Sequence, residues 1–175
     1  MVASGVRYHR DRDRYPVGDL VMSSVLSAEV KTIVNATAPA IQQHGVAITT
    51  RMYERLFVDP SVKAMFDDAA QESGEQPRRL AAAILAYAQN IEKIENLTAP
   101  VMRMAARHVE AGVKPEHYPM VADALLPAIR DVLGEAATDE VLSAWGEAYW
   151  ALAEILIGKE AALNVAASDG STTEQ

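Results

Sequence analysis

The sequence predicts an all-α fold of six to eight helices of unequal length. Three observations carry this. Glycine is sparse, at 9 of 175 residues, β-branched residues do not cluster, and no stretch alternates with period two. Prolines fall where helices start or stop. Apolar residues recur at i, i+3/i+4 and i+7 along the longer segments, as in Tyr118, Val121, Leu125, Ile129 and Val132.

The elements follow in order. Residues 1–25 mix Arg and Asp in RDRDR around Pro16 and Gly18 and show no apolar period, so they are expected to be a disordered tail. Ser27 is placed to cap a helix to about Ala38, ahead of Pro39. A second helix is expected over 40–57, broken before Asp59-Pro60, and a short one over 60–66. Residues 67–76, DDAAQESGEQ, read as a polar loop. Pro77 opens a helix to about Ile94, because proline is tolerated in a first turn. Thr98 caps one that ends near Gly112. Pro115 opens another to Leu133, stopped by Gly134. Thr138 or Asp139 caps the last, through about Asn164, and residues 165–175 read as a flexible tail. The short 60–66 piece and the following loop break the rhythm of a regular four-helix bundle.

Composition excludes several function classes. With no cysteine there is no disulfide scaffold, zinc ribbon, iron–sulfur cluster or cysteine nucleophile. Sixteen Lys+Arg against 24 Asp+Glu leave a net charge of −8 without a basic run, which argues against nucleic acid as a partner. Apolar stretches fall far short of the ~20 residues that span a bilayer, so no membrane partner is expected. The N-terminus lacks a signal-peptide core, and a soluble, cytoplasmic domain is the expectation.

Four histidines are present: His9, His44, His108 and His117. Only His108 lies on an apolar stripe, with Val101, Met104 and Ala105. On spacing alone it reads as a core histidine with one hydrogen bond or as a ligand. Zinc needs three or four ligands, and neither HExxH nor a close His pair occurs. A di-iron bundle needs Glu-x-x-His, which is also missing. Haem tolerates a single protein ligand, since the porphyrin supplies four nitrogens. Most carboxylates fall on solvated faces. Glu160 lies at the edge of the last helix's apolar stripe, with Glu140, Glu147 and Glu154 opposite, and reads equally as an exposed helix end after Gly158 or as a facing group.

Four strings carry a family resemblance: ATAPAIQQHGVAITTRMYERLF, LAAAILAYAQNIEKIENL, RHVEAGVKPEHYPMVADALLPAIRDVLG and AWGEAYWALAEILIGKEA. In this order and spacing, residues 26 to about 162 resemble the globin domain of bacterial flavohaemoglobins and their single-domain relatives. The resemblance implies a globin fold, over 26–164, around b-type haem (iron protoporphyrin IX). It places His108 as the proximal iron ligand, Tyr118 and Glu160 as its hydrogen-bonding partners, and Tyr53 as the distal tyrosine. Phe66 would pack on the haem edge, and Gln76 and Leu80 would be the distal glutamine and the leucine one turn on. A carboxylate on the free imidazole N–H makes the ligand more basic, which favours oxygen activation over storage.

There are departures from the family pattern. Pro77 follows Gln76 and biases it away from helical dihedrals, so Gln76 is expected to turn out of the pocket. The segment between Phe57 and Phe66 is one residue short of the pattern. No R-x-Y-S-type flavin motif follows, so no FAD or NAD site is expected in this chain and electrons would come from a separate flavin/NAD(P)H reductase. The resemblance thus implies a protein that takes O2 and NO as ligands and yields nitrate as a nitric oxide dioxygenase. The other reading is oxygen binding, transport or delivery without turnover. A homodimer fits by analogy with single-domain relatives.

Overall fold

The structure is a computed structural model that describes residues 26–66 and 68–170. The expected N-terminal tail and the last five residues lie outside this range. Among the described residues all regular structure is helical: α1 (Ala28–Leu56), α2 (Pro60–Lys63), α3 (Asp68–Glu72), α4 (Glu75–Gln89), α5 (Thr98–Glu110), α6 (His117–Leu133) and α7 (Asp139–Gly170). Single 3₁₀ turns at Ile94–Leu97 and Gly134–Ala136 join α4 to α5 and α6 to α7. No helix among the described residues is long and apolar enough to cross a membrane.

The two helices expected around Pro39 are one. Ser27 caps α1 as expected, its hydroxyl accepting from Val30 N–H at 3.2 Å. The buried face, Val30, Val34, Ala38, Ile41, Gly45, Ile48 and Met52, continues without a phase break across the proline. Proline removes the donor to the carbonyl of Asn35, but both residues lie on the exposed side, where solvent serves that carbonyl. Packing of the opposite face overrides the local break.

The other boundaries shift by smaller amounts. The expected 67–76 loop contains α3 and ends at Gly74, whose φ of +70° lets the chain turn into α4 two residues before Pro77. Helix α4 ends at Gln89 rather than near Ile94, and α6 begins at His117 rather than Pro115. Thr138 caps α7 through Val141 N–H at 3.2 Å, and α7 extends to Gly170, beyond the expected end near Asn164.

Helix α1 is the central element, packed against α4, α6 and α7, while α5 rests mainly on α7. The core includes Val34, Ile48, Met52, Ile91 and Ile129, each almost wholly withdrawn from solvent. α1 and α4 approach closely at Gly45, where an added Cβ would lie 3.3 Å from that of Ala81. Two polar bonds between helices lock the frame: the buried Tyr87 Oη donates to Ala148 O at 2.8 Å, and Trp145 Nε1 donates to the half-buried Thr37 Oγ1 at 2.9 Å.

Candidate functional site

The candidate side chains fall into two constellations. The first joins the end of α5 to α6 and α7. Helix α5 closes with Gly112 in the left-handed region (φ +72°), Val113 N–H on the carbonyl of His108 at 2.9 Å and Gly112 N–H on that of Val109 at 3.1 Å. This glycine-capped ending reverses the chain just after His108. It brings Tyr118, in the first turn of α6, back beside the imidazole, with ring centroids 6.1 Å apart.

Glu160 completes the group from α7. It is 4% exposed, and only it and Thr49 are buried polar residues among those described. Its Oε1 accepts from Tyr118 Oη at 2.6 Å and from His108 Nδ1 at 2.7 Å, and the tyrosine oxygen lies 3.1 Å from the same ring nitrogen. A carboxylate can only accept here, so Nδ1 carries a proton, and in the neutral imidazole Nε2 is then the nitrogen with the lone pair. Nε2 has no hydrogen-bond partner among the described residues. Burial first, then the hydrogen bond donated to the Glu160 carboxylate, push the Tyr118 phenol far above its ordinary range, so it remains a donor. Tyr149 on α7 holds Tyr118 from behind, its Oη donating to the Tyr118 carbonyl at 2.7 Å.

The second constellation lies where α1 meets α4. Tyr53, 5% exposed, stacks with Phe57 and Phe66 in a three-ring cluster with centroids 5.2–5.5 Å apart. Gln76 Nε2 donates to Tyr53 Oη at 3.2 Å. Burial raises the Tyr53 phenol above its ordinary value, and the glutamine donor partly offsets this. The expectation that Pro77 turns Gln76 away is corrected. Both residues lie in the first turn of α4, where the missing proline N–H would have no helical acceptor anyway. Leu80, one turn beyond Gln76, is half-buried on the same helix.

Sequence reading missed Thr49, whose Oγ1 donates to the Pro77 carbonyl at 2.8 Å. The available signal was its place between Gly45 and Tyr53 at i and i+4 spacing on the buried face of α1. The two other described histidines sit apart from this group: His117 Nδ1 accepts from Lys114 N–H at 3.0 Å, and His44 is half-buried on α1.

The donor set suits haem. Haem asks the protein for a single axial nitrogen, since the porphyrin supplies the other four. His108 offers that nitrogen with its ring already oriented. Leu80, Ile84 and Met104 pack on the core yet remain partly exposed, apolar surface suited to a porphyrin face.

Comparisons with known proteins agree. The Globin family model matches residues 50–156. A flavohemoprotein of Xylella fastidiosa is 48% identical over 142 residues, covering 81% of this chain and 36% of the relative, so the chain spans about a third of that protein's length. An engineered carbene transferase, derived from a protein assigned as a nitric oxide dioxygenase of Rhodothermus marinus, superposes with a TM-score of 0.76 at 40% identity, over 82% of this chain and 99% of that one. A flavohemoglobin of Malassezia yamatoensis with bound FAD and heme matches at a TM-score of 0.72 and 33% identity, over 80% of this chain and 38% of its own. On family match, identity and fold together, the chain belongs to the globin family.

Proposed function

We propose that the chain is a b-type haem globin that binds dioxygen and converts nitric oxide to nitrate, with His108 as the axial ligand. The observation that carries this reading is the buried Glu160 carboxylate on His108 Nδ1. A globin that only stores oxygen has no need of a carboxylate there. Haem, when bound, supplies an iron centre that takes a diatomic gas and passes one electron.

The side chains divide the remaining work. Glu160 fixes the tautomer and orientation of His108 and raises its basicity. Tyr118 fills a lone pair of the same carboxylate oxygen, which helps satisfy a buried charge. Gln76 donates to the Tyr53 oxygen, so the tyrosine's own proton is free for a negatively polarised ligand. Phe57 and Phe66 restrict the tyrosine ring and exclude water from it. The relatives named flavohemoprotein and nitric oxide dioxygenase support the same reading.

The overall reaction, NO plus O2 plus one electron to nitrate, needs a reductant. The test supplies NADH and a flavin reductase to the haem-loaded protein and measures nitrate. Sustained nitrate formation beyond one equivalent per haem is expected. No nitrate under turnover overturns the dioxygenase reading and leaves oxygen binding or delivery.

A further inference from the structure

The first turn of α4 is weakly held by its own backbone. Gly74 provides no side-chain cap, and its carbonyl receives Arg78 N–H only at 3.4 Å. Glu75 N–H reaches Ser73 Oγ at a similarly long 3.4 Å. Pro77 has no N–H to contribute. Yet Gln76, in this same turn, must be placed within hydrogen-bond reach of Tyr53.

Exposed arginines add ties, Arg78 Nη1 to the Ser73 carbonyl at 3.2 Å and Arg79 to the Glu75 carboxylate, and the buried tie comes from α1. Thr49 is wholly buried, and its hydroxyl lies 2.8 Å from the Pro77 carbonyl and 3.2 Å from the Val46 carbonyl of its own helix. A helical threonine is ordinarily satisfied by such a back-bond alone. Here the shorter contact crosses to another helix, which the close approach of α1 and α4 at Gly45 and Ala81 allows. Thr49 lies one turn before Tyr53, and Pro77 shares a peptide bond with Gln76. The Thr49–Pro77 and Tyr53–Gln76 bonds are therefore adjacent rungs between the same two helices.

We propose that Thr49 is a positioning residue for the distal pair: its hydroxyl sets the height of the α4 first turn on α1 and so holds the Gln76 amide on Tyr53. The proposal rests on the reading of Tyr53 as the ligand-facing donor. It assigns the hydroxyl, not the packing volume, as the operative group. Thr49→Val keeps the shape and removes the donor, while Thr49→Ser keeps the donor and removes a methyl.

The test is the infrared C–O stretch of the haem-loaded ferrous protein under carbon monoxide, with the O2 dissociation rate as a second readout. Thr49→Val is expected to move the band to higher wavenumber and broaden it as the donor field weakens. It should also raise the off-rate roughly fivefold, the scale of one neutral hydrogen bond. Thr49→Ser should reproduce the wild-type band even if it melts earlier. Thr49→Ala serves as the hydroxyl-free variant should the valine protein fail to fold. A wild-type band in the hydroxyl-free variants overturns the proposal, as does a Thr49→Ser band shifted as far as theirs. Tyr53→Phe separates the two levels: if it leaves the band in place, the distal role of Tyr53 fails and that of Thr49 with it. If Tyr53→Phe moves the band and loss of the Thr49 hydroxyl does not, only Thr49 is removed.

Discussion

On the α5–α7 side, two donors from different helices converge on one oxygen of a buried carboxylate. On the α1–α4 side, two neutral side chains share one hydrogen bond of 3.2 Å, with aromatic rings on the flank. The first arrangement is charged and over-determined: His108, Tyr118 and Glu160 each lose a partner if any one is removed. The second is neutral and adjustable, set by how α4 seats on α1. On the function proposed above, the rigid side would fix the cofactor electronically and the adjustable side would meet small ligands.

The largest effect separates the two sides outright. His108→Ala removes the candidate axial ligand, and the sharp Soret band of the reduced, CO-treated protein should be lost or severely altered. Tyr53→Phe should leave that band in place. A normal band in the alanine variant would remove His108 from its role. Next come graded losses. Glu160→Gln keeps the volume but removes the charge on Nδ1, and loss of such an outer-shell partner costs about 10- to 100-fold in function. Its expected signatures are a lower iron–histidine stretching frequency and a higher reduction potential, neither of which a simple packing defect produces. Tyr53→Phe removes one hydrogen bond to a polarised ligand, so O2 dissociation should quicken about 10-fold. An unchanged off-rate would show that the distal donor lies elsewhere.

How much of this was legible in the sequence follows the same division. The helical class and the positions of His108 and the Tyr118 stripe follow from period and from the glycine and proline stops around α5 and α6. The role of Glu160 did not follow from period, because a glutamate after Gly158 at a helix edge reads equally as an exposed end. Only the packing of α7 on α5 turns it inward. Pro39 and Pro77 misled the local reading for one reason. Proline propensity acts on a single turn, whereas a long buried face or a first-turn position makes the lost N–H cheap. Spacing put Thr49 on the buried face of α1, but its partner was not legible, because that partner is a backbone carbonyl 28 residues away.

The alkaline limb of stability offers a subtler comparison. Burial holds Tyr53 and Tyr118 above the ordinary phenol pKa, and the hydrogen bond that Tyr118 donates to Glu160 adds to the effect of burial there. A folded-state pKa above the unfolded value means the neutral phenol stabilises the fold. That contribution is complete below about pH 10 and is lost as pH rises beyond it. Urea midpoints between pH 8 and 11 should therefore fall less steeply in Tyr118→Phe than in wild type, with Tyr53→Phe in between. Parallel curves would mean that neither phenol carries the alkaline transition. Absorbance of phenolate should show Tyr87 and Tyr149, also held high by burial, staying neutral until the protein unfolds.

The smallest effects come from two helical glycines, one near each constellation. Gly158 lies two residues before Glu160 in α7, and a Cβ added there meets nothing within 4 Å. Alanine should stabilise the protein by roughly 0.5–1 kcal/mol through reduced unfolded-state entropy. Gly45, one turn before Thr49, differs. Its added Cβ would lie 3.3 Å from Ala81 Cβ, an atom fixed to the α4 backbone rather than at the end of a flexible side chain. The same alanine gain there is opposed by displacement of a helix, and overpacking of this kind costs about 1–3 kcal/mol. Gly45→Ala should thus lower the melting temperature and also disturb the C–O stretch, since lifting α4 moves Gln76 off Tyr53. Gly158→Ala should raise the melting temperature and leave the stretch alone. If both alanines stabilise, α4 yields without strain, and the distal side is looser than the Gly45–Ala81 contact implies.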